Sequence, residues 1–249
     1  MEITVTFVGN ATTLIAVDDI TLLTDPNFLH LGQHAYLGYG LLSKRLRQPA
    51  LTVEQLPPVD AVLLSHMHGD HWDRVTQRKL DRALPILTTP HAAKRLARRG
   101  FSHATGMSTW QSHRIVKGGL TVTVTSMPGR HAPTPVDRLL PPVMGSMIEF
   151  TDGAATRRLY VSGDTLFVDE LREIPVPAGS KLPFGLTVTM DAGQGADLVE
   201  LLDLPKMIPV HFDDYSVFAS SLNDFRAEMA RRGLGDWVIE LDRGASVAY

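Results

Sequence analysis

The stretch VDAVLLSHMHGDH, residues 59–71, leads from an apolar run straight into three histidines and an aspartate. The run has the pattern of a strand that is buried on both faces. In extended backbone His66 and His68 point to the same side, because side chains alternate with a period of two. The glycine allows a tight turn, after which Asp70 and His71 can reach the same space. An exposed polar loop is the plain alternative, but this spacing behind a buried strand favours binding of a divalent cation.

Polar residues at three further strand ends extend this cluster. His131, Asp164 and His211 each follow an apolar or alternating segment of the chain. Each alone could be an incidental polar strand terminus. One loop with four donors is too small for two closed metal sites, so the three residues and the cluster together predict one site at the edge of a sheet.

Strand patterns lead in both halves of the chain, with helical patterns between them. Strands are predicted at residues 3–7, 13–17, 20–23, 59–64, 86–88, 120–126, 147–150, 158–161, 207–210 and 237–241. Helices are predicted at residues 73–83, 92–99, 196–202 and 222–232, with one helical turn at 52–55. This order indicates an α/β (α+β) architecture with a sheet-on-sheet core and helices outside. Residues 27–50 are predicted to form a long loop, and loops of that length are often functional.

The composition is that of an ordinary globular protein. The 249 residues are 44% hydrophobic and 20% charged, and we expect them to form one domain over residues 1–249. With no cysteine, the metal ligands must be His, Asp or Glu. A net charge of −3 and no added basic domain argue against a nucleic-acid partner. No apolar run approaches the roughly 20 residues that span a bilayer, and no signal peptide is recognised, so we expect a cytoplasmic protein.

The chain resembles the metallo-β-lactamase-fold hydrolase superfamily, whose defining motif is His-x-His-x-Asp-His after a strand. It is most similar to the branch that contains the ascorbate-lactone hydrolases and the N-acyl-phosphatidylethanolamine phospholipase D group. The matching pieces are spread over nearly the whole chain: Gly9-Asn10-Ala11-Thr12, Leu23-Thr24-Asp25-Pro26, residues 56–66, Ser162-Gly163-Asp164-Thr165 and Ile208-Pro209-Val210-His211.

This resemblance implies a four-layer αβ/βα sandwich and a dinuclear metal centre at one edge. One metal would lie on His66, His68 and His131, a second on Asp70, His71 and His211, and Asp164 would bridge them. Asp25 would accept the other N–H of a ligand imidazole, although a buried turn carboxylate or cap is an equal alternative. The family's apolar strand after the bridging aspartate has no clear match in the Pro-rich residues 173–184. A shortened layer, or a segment absent from the numbering, is therefore expected there.

Hydrolysis is the predicted activity. A hydroxide held between two divalent cations, zinc with manganese or iron as alternatives, would attack a small ester, lactone or phosphodiester. Asp70 would orient the hydroxide and pass a proton to the leaving group. No Gly-x-Ser-x-Gly, Walker A or full Gly-x-Gly-x-x-Gly motif supports a rival chemistry. A di-iron redox enzyme and a non-catalytic metal-binding module remain the alternatives.

Two loops are predicted to contact a small-molecule substrate. Tyr36 and Tyr39 would form an aromatic wall in the long loop, and Arg138 would lie in a facing wall. The basic residues of the long loop, Arg45 among them, are expected to form a solvated edge. The sequence leaves open whether the protein forms a homo-oligomer.

Overall fold

The first of two facing sheets contains seven strands. The computed structural model describes residues 1–174, 185–188, 190–218 and 220–249. The strands of this sheet are β1 (Thr4–Gly9), β2 (Thr12–Val17), β3 (Ile20–Thr24), β6 (Ala61–Leu64), β7 (Ile86–Thr88), β8 (Ala104–Gly106) and β15 (Ser246–Ala248). They lie in the order β15-β1-β2-β3-β6-β7-β8. The meander part is antiparallel, and β3, β6, β7 and β8 run parallel to one another.

The second sheet contains six strands. They are β9 (Ser112–Lys117), β10 (Leu120–Met127), β11 (Gly145–Thr151), β12 (Thr156–Asp164), β13 (Gly185–Val188) and β14 (Met207–Pro209). Their order is β14-β13-β12-β11-β10-β9, with parallel pairing from β12 through β14. Because polar residues stand at the end of β12 or follow β6 and β14, the two sheets bring these residues to one edge of the sandwich.

Helices cover the outer face of each sheet. They are α1 (Arg74–Lys79), α2 (Pro90–Ala97), α3 (Ala192–Leu201) and α4 (Leu222–Arg231). Between the sheets, side chains such as Ile15 and Leu22 share a core with Val122 and Ile148. Leu96 of α2 packs with the outer face of the first sheet, while α3 and α4 pack on the second. The predicted four-layer αβ/βα arrangement is confirmed.

Several predicted elements are placed differently by the structure. The long loop contains a hairpin, β4 (His34–Gly38) and β5 (Leu41–Lys44), which sequence periodicity missed because the hairpin has no continuous buried face. The strand predicted at 237–241 is wrong. Its apolar side chains do pack on the core, but its backbone makes a single bridge, from Val238 to Met207, and the last strand is β15.

The second half of the chain holds a further correction. The prediction of a shortened layer after Asp164 is also wrong, because β13 pairs in parallel with β12 and β14. Of the Pro-rich stretch 173–184, residues 175–184 lie outside the described residues. No helix in the described part of the chain is long and apolar enough to cross a membrane.

Candidate metal centre

Four segments of the chain bring the seven predicted ligands to the shared edge of the two sheets. His66, His68, Asp70 and His71 follow β6, and His131 lies on the loop after β10. Asp164 is the last residue of β12, and His211 follows β14. All are buried except His131, which is partly exposed. Their side chains form two adjoining groups, each with the composition to hold a metal ion.

The first group is His66, His68 and His131, whose ligand atoms lie within 4.8 Å of one another. His66 Nε2 is 3.0 Å from His68 Nδ1. His68 Nε2 and His131 Nδ1 are buried and have no hydrogen-bond partner. Unsatisfied buried nitrogens are costly, and three converging imidazoles are a common ligand set for a divalent cation.

The second group is Asp70, His71, Asp164 and His211. His71 Nε2 lies 3.2 Å from Asp164 Oδ1 and 3.2 Å from His211 Nε2. His211 Nε2 is 3.3 Å from Asp70 Oδ2. Asp164 lies between the groups, because its other oxygen, Oδ2, is 3.9 Å from His66 Nε2. This carboxylate therefore faces both groups.

Asp25 fixes the orientation of two of these imidazoles. Its carboxylate accepts the Ser65 backbone N–H at 2.7 Å and lies 3.1 Å from His71 Nδ1. The Ser65 hydroxyl donates to the same carboxylate, so it can only accept from His66 Nδ1, which is 3.0 Å away. Both rings then carry a proton on Nδ1 and turn Nε2 toward the site, where it can bind a cation once deprotonated. Sequence analysis missed Ser65, whose place between the strand and the first histidine was the available signal.

The charge balance of the site favours a bound cation. Burial lowers the pKa of His66 well below its ordinary value, and it lowers the pKa of His68 to about 4. Burial also lowers the pKa of His71, but the carboxylates of Asp164, Asp25 and Asp70 outweigh this effect and raise it well above the usual range. For Asp164, burial raises the pKa, yet the neighbouring histidines hold it well below the ordinary value. Without a cation, neutral His66 and His68, a protonated His71 and ionised carboxylates share one buried space. A bound cation would take the place of the second His71 proton, and this donor set suits zinc, manganese or iron.

Gly69 serves a purpose that differs from the prediction. The chain does turn at Gly69, as the sequence suggested, but the φ of this residue is not among the positive values, so the turn itself does not demand glycine. Instead, a Cβ at Gly69 would lie 2.6 Å from the backbone of Tyr36 in β4. The Gly69 N–H donates to the Tyr36 carbonyl at 3.0 Å. The glycine thus lets the β4–β5 hairpin dock directly on the loop that carries four of the seven candidate ligands.

A cavity of about 420 Å³ opens above the two groups. His68, Asp70, His131, Asp164 and His211 form its floor. Its walls are mainly apolar and come from the hairpin, the loop after β10 and the segment after His211, with Leu37, Leu41, Leu140, Val217 and Phe218. Such a concave, mostly apolar space with converging polar groups is typical of a small-molecule site.

The residues predicted to contact substrate lie in an adjoining groove. Tyr36, Tyr39 and Arg138 line this second space of about 630 Å³, which shares His68 with the first. The Tyr39 hydroxyl donates to the Leu139 carbonyl at 2.6 Å and so ties the hairpin to the loop after β10. The expected solvated edge is wrong for Arg45, which is fully buried and pairs with Asp214 at 3.1 Å.

Comparisons with known proteins agree with this fold and site. A family model described as a β-lactamase superfamily domain matches residues 21–212. A metal-dependent hydrolase of Deinococcus radiodurans is 30% identical over 216 residues, which cover 83% of this chain and 89% of that protein. An N-acyl-phosphatidylethanolamine-hydrolyzing phospholipase D of Caenorhabditis elegans is 29% identical over 136 residues, 51% of this chain and 37% of that one. The crystal structure of a possible metal-dependent hydrolase from Veillonella parvula superposes with a TM-score of 0.80 at 21% identity, covering 98% of each chain.

The fold and the site define a metal-dependent hydrolase with two sheets and an edge-mounted donor cluster. The chain belongs to the β-lactamase superfamily, as the family model over residues 21–212 and the Deinococcus radiodurans relative show. The superfamily and the enzyme class predicted from the sequence are confirmed. The phospholipase D relative lies within the branch that the sequence motifs indicated.

Proposed function

We propose that the protein hydrolyses a small ester, lactone or phosphodiester with two divalent cations, zinc or alternatively manganese or iron. His66, His68 and His131 would hold one cation; Asp70, His71 and His211 would hold the other; and Asp164 would contact both. When bound, such cations lower the pKa of a shared water and polarise the attacked bond, which supports hydrolysis at neutral pH. The observation that carries the proposal is the pair of adjoining donor groups on the floor of one cavity.

Asp70 is the proposed proton carrier. Its Oδ2 lies next to His211, whereas its Oδ1 is buried without a hydrogen-bond partner. Since Asp70 also lines the cavity, Oδ1 can take a proton from an attacking water and deliver it to the leaving group. A closed structural metal site would need no such free carboxylate oxygen at an open cavity, so this arrangement favours catalysis over a purely structural module.

The apolar walls would hold the uncharged part of the substrate and exclude water from the reacting bond. The adjoining groove would hold an anionic part. Besides Arg138, it is lined by His91 and Arg95 of α2, and Asp137 is the acidic residue among its lining side chains. A carboxylate or phosphate on the substrate would meet the two guanidinium groups there, while the rings of Tyr36 and Tyr39 cover its apolar neighbour.

We also propose that residues 1–249 act as one cytoplasmic domain on a small-molecule substrate, without a nucleic-acid partner. The apolar enclosure of the cavity supports a small substrate.

Metal content and turnover test the proposed function together. Elemental analysis of the purified protein should give about two equivalents of zinc, manganese or iron. The same protein should cleave members of a lactone panel or bis(4-nitrophenyl) phosphate. His68→Ala should lose turnover and bind less metal, while His103→Ala, an exposed histidine outside both groups, should match the wild type. Protein that stays metal-free after reconstitution, or a His68→Ala variant with full turnover, would contradict the proposal.

A further inference from the structure

One residue outside the seven proposed ligands touches the backbone of two of them. Asn10 lies in the turn between β1 and β2 and is fully buried. Its side-chain amide donates to the Asp70 carbonyl at 2.6 Å. Its own carbonyl accepts the His211 backbone N–H at 3.0 Å. The loop after β6 and the loop after β14 are thus joined through a single residue, although they are 141 positions apart in the chain.

Asn10 is itself held by a buried ion pair. Its backbone N–H donates to Asp214 Oδ2 at 2.7 Å. Asp214 also accepts from Arg45 at 3.1 Å and from Arg243 at 2.9 Å, so its carboxylate is anchored on both oxygens. Such a fully buried, multiply bonded pair gives a fixed reference point, because moving either charge would leave the other uncompensated.

A second amide repeats the arrangement on the neighbouring carbonyl. Asn27 Nδ2 donates to the Gly69 carbonyl at 3.0 Å. The Asn27 side-chain oxygen accepts from the Tyr215 hydroxyl at 2.7 Å and from Arg45. Arg45 therefore supports both amides that bind the loop after β6, one directly and one through Asp214.

The backbone conformation at Asn10 is one that glycine can also adopt. Its φ is 56°, in the left-handed region that asparagine tolerates and glycine adopts freely. Glycine would keep the backbone bonds to Asp214 and His211 and remove only the amide that reaches Asp70. The asparagine side chain at this turn can therefore be removed without changing the conformation that the backbone adopts.

We propose that Asn10 is a positioning residue that sets the separation of Asp70 and His211, and with it the affinity of the second metal group. The proposal rests on the metal centre of the proposed function. Outer residues that orient metal ligands typically change metal affinity 10- to 100-fold. Within the part of the chain that the structure describes, Asn10 makes no hydrogen bond to His66, His68 or His131. Its effect should therefore be confined to the group of Asp70, His71 and His211.

Zinc titration of metal-free protein, with a chromophoric chelator as competitor, tests this inference. His131→Ala and His211→Ala each remove one ligand and so assign the two dissociation constants of the wild type. Asn10→Gly should weaken the constant assigned by His211→Ala by about 10- to 100-fold and leave the other unchanged. Asp18→Gly is the matched control, since Asp18 also has a positive φ of 47° but lies exposed in the turn at the far end of β2. Equal loss at both groups, loss confined to the other group, or no loss would overturn the proposal.

A second measurement needs no metal and separates this proposal from the proposed function. In metal-free Asn10→Gly, amide hydrogen exchange at Gly69 and His71, which flank Asp70, should be about tenfold faster than in Asp18→Gly, because the loop after β6 loses its buried hydrogen bond to Asn10. Unchanged exchange would show that Asn10 does not hold this loop. Faster exchange in a protein that binds no zinc would retain the positioning role and reject the metal centre.

Discussion

Acid should destabilise the metal-free protein through His68, and the effect can be sized from the structure. The pKa of His68 is about 4 in the folded protein against an ordinary value of 6.5, because burial disfavours its charged form. As the pH falls below 6.5, the unfolded chain gains a proton that the folded chain does not bind, so the free energy of unfolding decreases until about pH 4. At about 1.4 kcal/mol per pH unit, this difference amounts to roughly 3 kcal/mol.

The other titratable groups near the site either act in the same direction as His68 or titrate mainly outside the range from pH 4 to pH 6.5. His66 and His131 also have lowered pKa values and act in the same direction. The raised pKa of His71 contributes stability that is fully present below pH 6.5 and is lost only as the pH rises through the folded-state value. The pKa of Asp164 lies well below 3.8, so this carboxylate titrates below the window. Comparison with a His68→Gln variant therefore measures the contribution of His68 to the pH dependence of the unfolding free energy.

The assay is urea denaturation of chelator-treated protein at pH 6.5, 5.5 and 4, followed by tryptophan fluorescence. The wild type should lose more unfolding free energy over this range than His68→Gln, by roughly 3 kcal/mol. If the two proteins lose the same amount, the buried, neutral state of His68 is refuted. Divalent zinc should deepen the wild-type dependence, since a metal ligand must also stay deprotonated.

Three further perturbations test separate parts of the structure. Asp25→Asn should weaken zinc binding about 10- to 100-fold in a chelator competition, because the His71 ring loses its carboxylate acceptor. Asp60→Asn, on a distant carboxylate, is the control, and equal zinc affinities of the two variants would contradict the role of Asp25. Asp214→Asn should lower the free energy of unfolding, measured in urea, by about 3 to 5 kcal/mol, because Arg45 is left buried beside a neutral partner. Asp213→Asn, at a partly exposed carboxylate, should lower it much less, and an equal loss in the two variants would contradict the prediction. Arg95→Ala should raise KM for bis(4-nitrophenyl) phosphate about tenfold, because Arg95 lines the adjoining groove. Lys94 does not line the groove, so Lys94→Ala should leave KM unchanged, and an equal KM in the two variants would contradict an anion subsite there.

The ligand cluster was predictable because its signal is local. His66, His68, Asp70 and His71 lie within six residues directly after a buried strand, so backbone geometry alone brings them together. His131, Asp164 and His211 required one further step, the rule that polar residues at strand ends meet at a sheet edge. The same local reasoning found the β-meander and the helices α2 and α4, whose apolar spacing matches their buried faces.

Apart from Asp25, which the resemblance implied, the residues that support the cluster were not predictable, because their partners are distant in sequence. Arg45 pairs with Asp214 across 169 positions, and Asn10 reaches Asp70 across 60. Composition places an arginine on the surface unless its partner is known, so Arg45 was assigned to a solvated edge. Nothing in the short-range pattern of Asn10 indicates which carbonyl its amide will meet. The roles of Arg45 and Asn10 can be recognised only in the assembled structure, where their distant partners are known.

The β4–β5 hairpin links the wall of the cavity to the geometry of its floor. Leu37 and Leu41 of the hairpin line the cavity, and Tyr36 accepts the Gly69 N–H from the ligand loop. Any side chain at position 69 would push the Tyr36 backbone away, since a Cβ there would approach it to 2.6 Å. The hairpin that lines the cavity therefore also contacts the loop of Asp70 and His71. A change that moves the backbone of this hairpin would therefore also disturb the loop that carries Asp70 and His71.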